Sequence, residues 1–449
     1  MTETGPLQYY PQSALESLVS RGVSIPVVEQ VAISKDVLLE NISSRAVLHP
    51  FTRLEGSETA IGEGAIIGHS GPATLQNSTV GPNSVIGAQG PITLRSTHCG
   101  PGTVLGSGVA EDAVFLGREG VEPAFTTGYG FRVRKGSLYE EGANSAQHTD
   151  TKMTLLLPFV TLGSNINWCD VLVAGGTGPN LGEFSEVGSG VIHFNFTPRG
   201  DKATASAFGN VNQGVFLNQP RVFLGGNGSM IGPLSAQFGA ITTAGGRYTG
   251  MLPAGLNLGG PPPDLSRAKG FDLAHYGSIK RIFDQQMRFI GELAALESWY
   301  TQVRMDVLAQ GDRAKRVLYE KGRVMVRLNL TERIAQLGRL ASAMEISAKG
   351  IESTSPGDPR IAQQRALLDA WPEIEEHIKV VTDNSIEAYP LPDFVRKGLE
   401  TAATQSTAYT QVIQTLPPEA VSSGVTWLQG IRDAVANQKI LALVPEISR

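Results

Sequence analysis

The sequence predicts a left-handed parallel β-helix built on hexapeptide repeats over residues 31–255, followed by an all-α region over residues 271–449. Three observations carry that expectation. A series of period six runs through Val80, Ile86, Ile92, His98, Val104, Ala110 and Leu116, with Gly81, Gly87 and Gly117 directly after three of its members. Glycine is unevenly spread: of 52 glycines, only 11 follow residue 260, so the chain divides into two kinds of architecture. Beyond residue 271 the apolar spacing changes to alternating steps of three and four, the signature of helices packed along a seam.

Taken in order, residues 1–30 read as a cap. Leu15, Leu18 and Val19 share one face of a short amphipathic helix that stops at Gly22. From residue 31 short apolar pulses alternate with Gly, Ser, Asn and Pro. In a triangular coil each flat side takes one hexad, an aliphatic side chain points inward, and a small residue eases the corner where φ turns positive. Ile61-Gly62 and Ile67-Gly68 sit out of phase by one residue, which an insertion around residues 71–78 explains, and Leu224, Met230, Ala236 and Thr242 resume the period later. A disordered Gly-rich segment has no reason to keep its aliphatics in register. Residues 256–270, with Pro261-Pro262-Pro263, read as a linker. After it, Ile279, Ile282, Gln286, Phe289, Leu293, Leu296, Tyr300, Val303 and Val307 form a long helical stripe, and Ser355-Pro356-Gly357-Asp358-Pro359 separates two later helices. Spacing leaves open whether that stripe packs within one chain or between subunits.

Composition narrows the function. A net charge of −5, a pI near 5.9 and no long Lys/Arg block argue against nucleic acid as a partner. Cys99 and Cys169 are the only cysteines, too few for a disulfide framework or a Cys-rich zinc site, which fits a reducing, cytoplasmic setting. His49, His69, His98, His148 and His193 show no pair at the spacing of a three-histidine zinc site, so no metal is expected. No apolar run is long enough for a membrane span.

The hexad register is interrupted between Tyr129 and Gln219, a stretch dense in polar residues: Arg132-Val133-Arg134-Lys135-Gly136, then Gln147-His148-Thr149-Asp150-Thr151-Lys152, then Gly188 to Lys202. Over about residues 125–246 this resembles the C-terminal acetyltransferase domain of GlmU, the bifunctional enzyme that makes UDP-N-acetylglucosamine. The resemblance implies a sugar-phosphate contact at Arg134, within an R-x-R-x-G segment, and a second at Lys152. It places the family's Asn-Tyr-Asp-Gly loop on Asn195-Phe196-Thr197-Pro198, with the following lysine at Lys202. It also implies a homotrimer whose subunit cleft brings acetyl-CoA to an amino-sugar phosphate, Asn195 orienting the amine or the acyl carbonyl.

The chain departs from that family in two places. Where the family carries its catalytic histidine, this sequence has Leu162-Gly163-Ser164-Asn165-Ile166-Asn167, with no imidazole to take a proton near neutral pH. His148 or His193 would have to substitute from a neighbouring coil or subunit. The family tyrosine is Phe196, and the Rossmann-like uridylyltransferase domain is missing. The function expected first is therefore a GlmU-like acyltransferase or acetyltransferase acting on an amino-sugar phosphate or nucleotide sugar in UDP-N-acetylglucosamine-related metabolism; the alternative is a non-catalytic sugar-nucleotide-binding or trimeric assembly protein.

Overall fold

The structure is a computed structural model that describes residues 7–118, 125–260 and 272–448. Its first part is a parallel β-solenoid of about 12 turns. Among the described residues 26 short strands stack in one continuous set of ladders, and the named ladders are parallel. In the N-terminal coils Ala60 pairs with Thr79 and Thr79 with His98, while Ile66 pairs with Val85 and Val85 with Val104. Each step there is nineteen residues, one more than three hexads. The inward position aligned with Val80 is therefore Cys99, and His98 lies over Thr79 instead. Further along the coil shortens: Arg132 pairs with Asp150 and Ser229 with Arg247, eighteen residues on.

The stretch expected to break the register keeps its strands. Thr127–Val133, Asp150–Leu156 and Asn167–Val173 stack rung on rung; the irregularity lies in loops that leave the corners and in a register shift between Ser107 and Gly108, opposite Tyr129 and Phe131. One corner is built from left-handed residues coil after coil: Gly56, Asn77, Ser96, Asp112, Gly136, Met153 and Asp170 all have positive φ. The backbone N–H groups of Asn77, Ser96 and Asp112 donate to Glu55, Gln76 and Arg95 in the coil before. Asn and Asp tolerate this conformation because their short side chains bond locally.

At the N-terminal end the helix Gln12–Ser20 seals the solenoid, with Leu15 and Leu18 buried in its core cluster. At the other end the strand Gly255–Asn257 closes the last coil. The expected linker over 256–270 lies mostly outside the described residues.

The helical part runs through Lys280–Ser298, a π-helical stretch Trp299–Leu308, a 42-residue helix Arg313–Thr354, the helix Pro359–Asp383 and shorter helices beyond. Its stripe packs within the chain. Ile279, Phe289, Leu293, Leu296 and Val303 are buried in one cluster with the solenoid residues Val114, Leu138, Leu155 and Leu172. The long helix lies along the solenoid flank: Lys321 Nζ donates to Glu58, Asn329 Nδ2 to Gly136 O at 2.8 Å, and Arg333 Nη2 to Asp170 Oδ1 at 2.8 Å. No helix among the described residues is long and apolar enough to cross a membrane.

Candidate functional site

Strand alternation decides which side chains the solenoid presents. On Thr127–Val133 the residues Phe131 and Val133 are buried and Arg132 is exposed; on Asp150–Leu156, ahead of the corner at Met153, Thr151 is buried and Asp150 and Lys152 face out; on Asn167–Val173 Trp168 is buried, Asn167 is exposed and Cys169 half-buried. Arg132, Asp150 and Asn167 form one outward column and Lys152 and Cys169 part of the next, because Arg132 pairs with Asp150, Asp150 with Asn167, and Lys152 with Cys169.

Arg134 is committed within this patch. Its Nε donates to Asp150 Oδ1 at 2.7 Å and its Nη2 to Cys169 Sγ at 3.4 Å. Burial pushes the Cys169 thiol up, which keeps it protonated and poorly nucleophilic. The Lys152 side chain makes no hydrogen bond or ion pair among the described residues, and neither does that of Arg132, the first arginine of the same R-x-R segment, which the resemblance passed over.

His193 and Asn195 point elsewhere. His193 is buried; its Nδ1–H donates to Cys169 O at 2.7 Å, and its Nε2 accepts from Ser206 Oγ at 2.7 Å. Ser206 Oγ in turn accepts from Leu234 N at 3.0 Å, so the tautomer is fixed on both sides. Burial lowers the His193 pKa to about 4. A serine bonded to an imidazole has the outline of an activated nucleophile, but Ser206 is fully buried and no substrate reaches it.

Asn195 Nδ2 donates to Asp170, whose other oxygen accepts from Arg333. Arg333 also donates through Nη1 to Lys202 O at 2.9 Å. The loop carrying Asn195 and Lys202 is thus clamped against the long helix, and Asp170 and Arg333 are both buried. Sequence reasoning missed this pair: Asp170 carried no motif, and Arg333 lies in the helical region, 163 residues away.

His148 stands apart from His193. It occupies a corner in left-handed conformation, exposed, its ring edge-on to Tyr129 with centroids 5.5 Å apart. The turn Leu162 to Asn167, where the family histidine was sought, is a corner too, with Asn165 at φ 58°. Phe196 is 65% exposed. An open cleft of about 650 Å3 in the helical region, lined by Tyr389, Pro390, Pro392 and Trp427, contains none of these residues. Among the described residues no group of three or more His, Cys, Asp or Glu side chains converges as a metal site.

The structure thus brings Arg132, Arg134, Asp150, Lys152 and Cys169 together on one open face and sends His193, Asn195 and Lys202 into a buried or clamped setting beside it. Compared with known proteins, the chain matches no family model, and no curated protein is significantly similar to it.

Proposed function

We propose that this chain binds a phosphorylated sugar or nucleotide sugar on the open solenoid face and does not turn it over, serving as an assembly or scaffold protein. One observation carries the reading: His193 and Asn195, two of the groups that would perform transfer chemistry, are consumed inside the fold, whereas the Arg132 and Lys152 side chains face outward with no hydrogen-bond or ion-pair partner among the described residues. His193 has both nitrogens engaged, and the Asn195 amide is spent on Asp170. Charge-assisted contacts from the two cations suit phosphate oxygens. The reading keeps the left-handed hexapeptide coil and the homotrimer that the resemblance implies. The unpaired Cys99 and Cys169 support a reducing, cytoplasmic setting.

A second reading is a GlmU-like acetyltransferase, in which acetyl-CoA supplies the acyl group. The exposed His148, on the same run as Asp150 and Lys152, favours it, since that imidazole is placed to take a proton from an amine.

Isothermal titration with UDP-N-acetylglucosamine, alongside a free-thiol assay with acetyl-CoA and glucosamine-1-phosphate, separates the two. Binding that Lys152→Ala weakens, with no thiol release, is the expected result. Thiol release abolished by His148→Ala establishes the transferase instead, and absence of binding removes the first reading.

A further inference from the structure

The open face also carries apolar side chains that the sugar-phosphate reading does not use. The parallel ladders run one outward column through Arg132, Asp150, Asn167, Ile192, Ser229 and Arg247, each stacked on the one before. Five coil steps of about 4.8 Å make that column about 24 Å long. Phe194 stands two residues along from Ile192, on the same side of its strand, and stacks on Ile231. Ile192 is 40% exposed, Phe194 47% and Phe196, just past the strand end, 65%. Alternation turns the first two outward, because His193 between them points into the coil, where Cys169 O and Ser206 Oγ engage both its nitrogens.

Charge brackets this apolar patch. Arg132 lies three coils before Ile192 and Arg247 two coils after it, with Lys152 beside the column. None of these three side chains has a hydrogen bond or ion pair among the described residues. The one carboxylate in the column, Asp150, is neutralised by Arg134. The face is therefore locally cationic on a chain whose net charge is −5. A flat strand face with exposed phenylalanines gives a small solute no enclosure. It suits an extended partner that carries negative charge and receives apolar side chains. A second copy meeting this face about a two-fold axis would set the same cations against each other. An anionic bilayer meets both demands: its phosphates neutralise the cations, and its acyl boundary takes up the phenyl rings.

We infer that this face docks peripherally on an anionic membrane surface, with Ile192, Phe194 and Phe196 entering the boundary between headgroups and acyl chains and Arg132, Lys152 and Arg247 holding lipid phosphates. The contact shares Arg132 and Lys152 with the binding reading above and does not depend on a sugar ligand.

The test is co-sedimentation of the full chain with vesicles of phosphatidylcholine alone and of equimolar phosphatidylcholine and phosphatidylglycerol, beside isothermal titration of the same preparations with UDP-N-acetylglucosamine. The anionic vesicles should bind the protein far more tightly than the neutral ones, and added salt should release it. Arg247→Ala should weaken that binding about fivefold, the worth of one cation at an anionic surface. Phe194→Ser combined with Phe196→Ser should weaken it at least about tenfold, and leucine at both positions should restore most of it. Failure to bind anionic vesicles overturns the inference, as does binding that the serine pair leaves unchanged. A dimer in sedimentation velocity that the serine pair dissolves also overturns it, because a second copy then covers the face. Nucleotide-sugar binding without vesicle binding removes this inference alone; vesicle binding without nucleotide-sugar binding removes the sugar reading alone.

Discussion

Replacing Arg304 by methionine tests how the helices are held to the solenoid. The guanidinium has no solvent exposure. Its Nη1 donates to Glu141 at 2.7 Å, and its Nη2 donates to Glu140 at 2.8 Å and Glu141 at 3.0 Å. Tyr409, Tyr300 and Tyr319 surround it, with ring centroids 3.6, 4.9 and 5.0 Å from its central carbon. Tyr300 OH also donates to Glu140 at 2.6 Å. Methionine leaves two buried carboxylates without their cation, and breaking such a pair from one side costs about 3–5 kcal/mol. Against the roughly 5–15 kcal/mol that holds a typical domain folded, that is a large share. Burial already pushes the Glu140 pKa up from 4.5 to about 7, against the opposing pull of Arg304. The folded state therefore holds this proton more tightly than the unfolded chain does. The stability it contributes is fully present below pH 4.5 and is lost as pH rises through about 7. Without the arginine Glu140 favours protonation further, so the deficit of Arg304→Met should shrink as pH falls. Urea unfolding followed by the fluorescence of Trp299, whose Nε1 donates to Tyr409, should show the full deficit at about pH 8 and a smaller one at about pH 5.5. The added changes Glu140→Gln and Glu141→Gln should recover most of it, because a neutral buried cluster carries no uncompensated charge. A loss under about 1 kcal/mol at the higher pH, or a deficit that does not narrow at the lower one, refutes the reasoning.

Asp170→Asn keeps the side-chain shape but strands the buried Arg333 charge; a loss of about 3–5 kcal/mol is expected in urea melts, with Asp170→Ala no milder. Gly100→Ala would place a Cβ 2.1 Å from the backbone oxygen of Leu116, which the coil stack does not let move, so a loss of about 3 kcal/mol should appear as a lowered thermal midpoint. Burial lowers the His98 pKa from 6.5 to about 4, so its contribution is present above pH 6.5 and lost as pH falls through about 4; His98→Gln should flatten that limb of the stability curve. Glu292, pushed up to about 7 by burial, has the opposite sign, and Glu292→Gln should reduce the fall in stability between about pH 4.5 and 7.

Much of the architecture was legible because it rests on local repetition. Ile61, Ile67, Val80 and Ile86 are each at most 3% exposed, and a chain that must bury one residue per side writes that demand into its spacing. The slip at His98 was not legible. Period six and a nineteen-residue coil agree over a few hexads and diverge only when a neighbouring strand decides which residue sits above Val80. The apparent break after Tyr129 misled for a similar reason: loops at the corners disturb the linear count, while the strands between them still stack. The packing of the helical stripe against the solenoid was open for a different reason, since an amphipathic face states that it is covered and not by what.

The candidate site divides along the same line. Arg134 and Lys152 were found together because a motif sits on consecutive rungs, yet the motif could not say which arginine is free. Strand alternation gives both Arg132 and Arg134 to the outer face, and only the location of Asp150 one coil on takes Arg134 out of play. His193 and Asn195 were chosen for their chemistry, and a distant helix decided their fate. Asp170 lies at the corner where left-handed residues stack, one coil after Met153, and Arg333 reaches that corner from the long helix; with Asp170 held there, the Asn195 amide has an anion to bond in place of a substrate. That dependence makes Asp170→Asn a functional probe as well as a structural one. Where the variant still folds, the Asn195 amide loses the anion it bonds, and binding at Arg132 and Lys152 should be unchanged if the outer face alone holds the ligand. A matching loss of nucleotide-sugar affinity would instead place the clamped loop within the binding site.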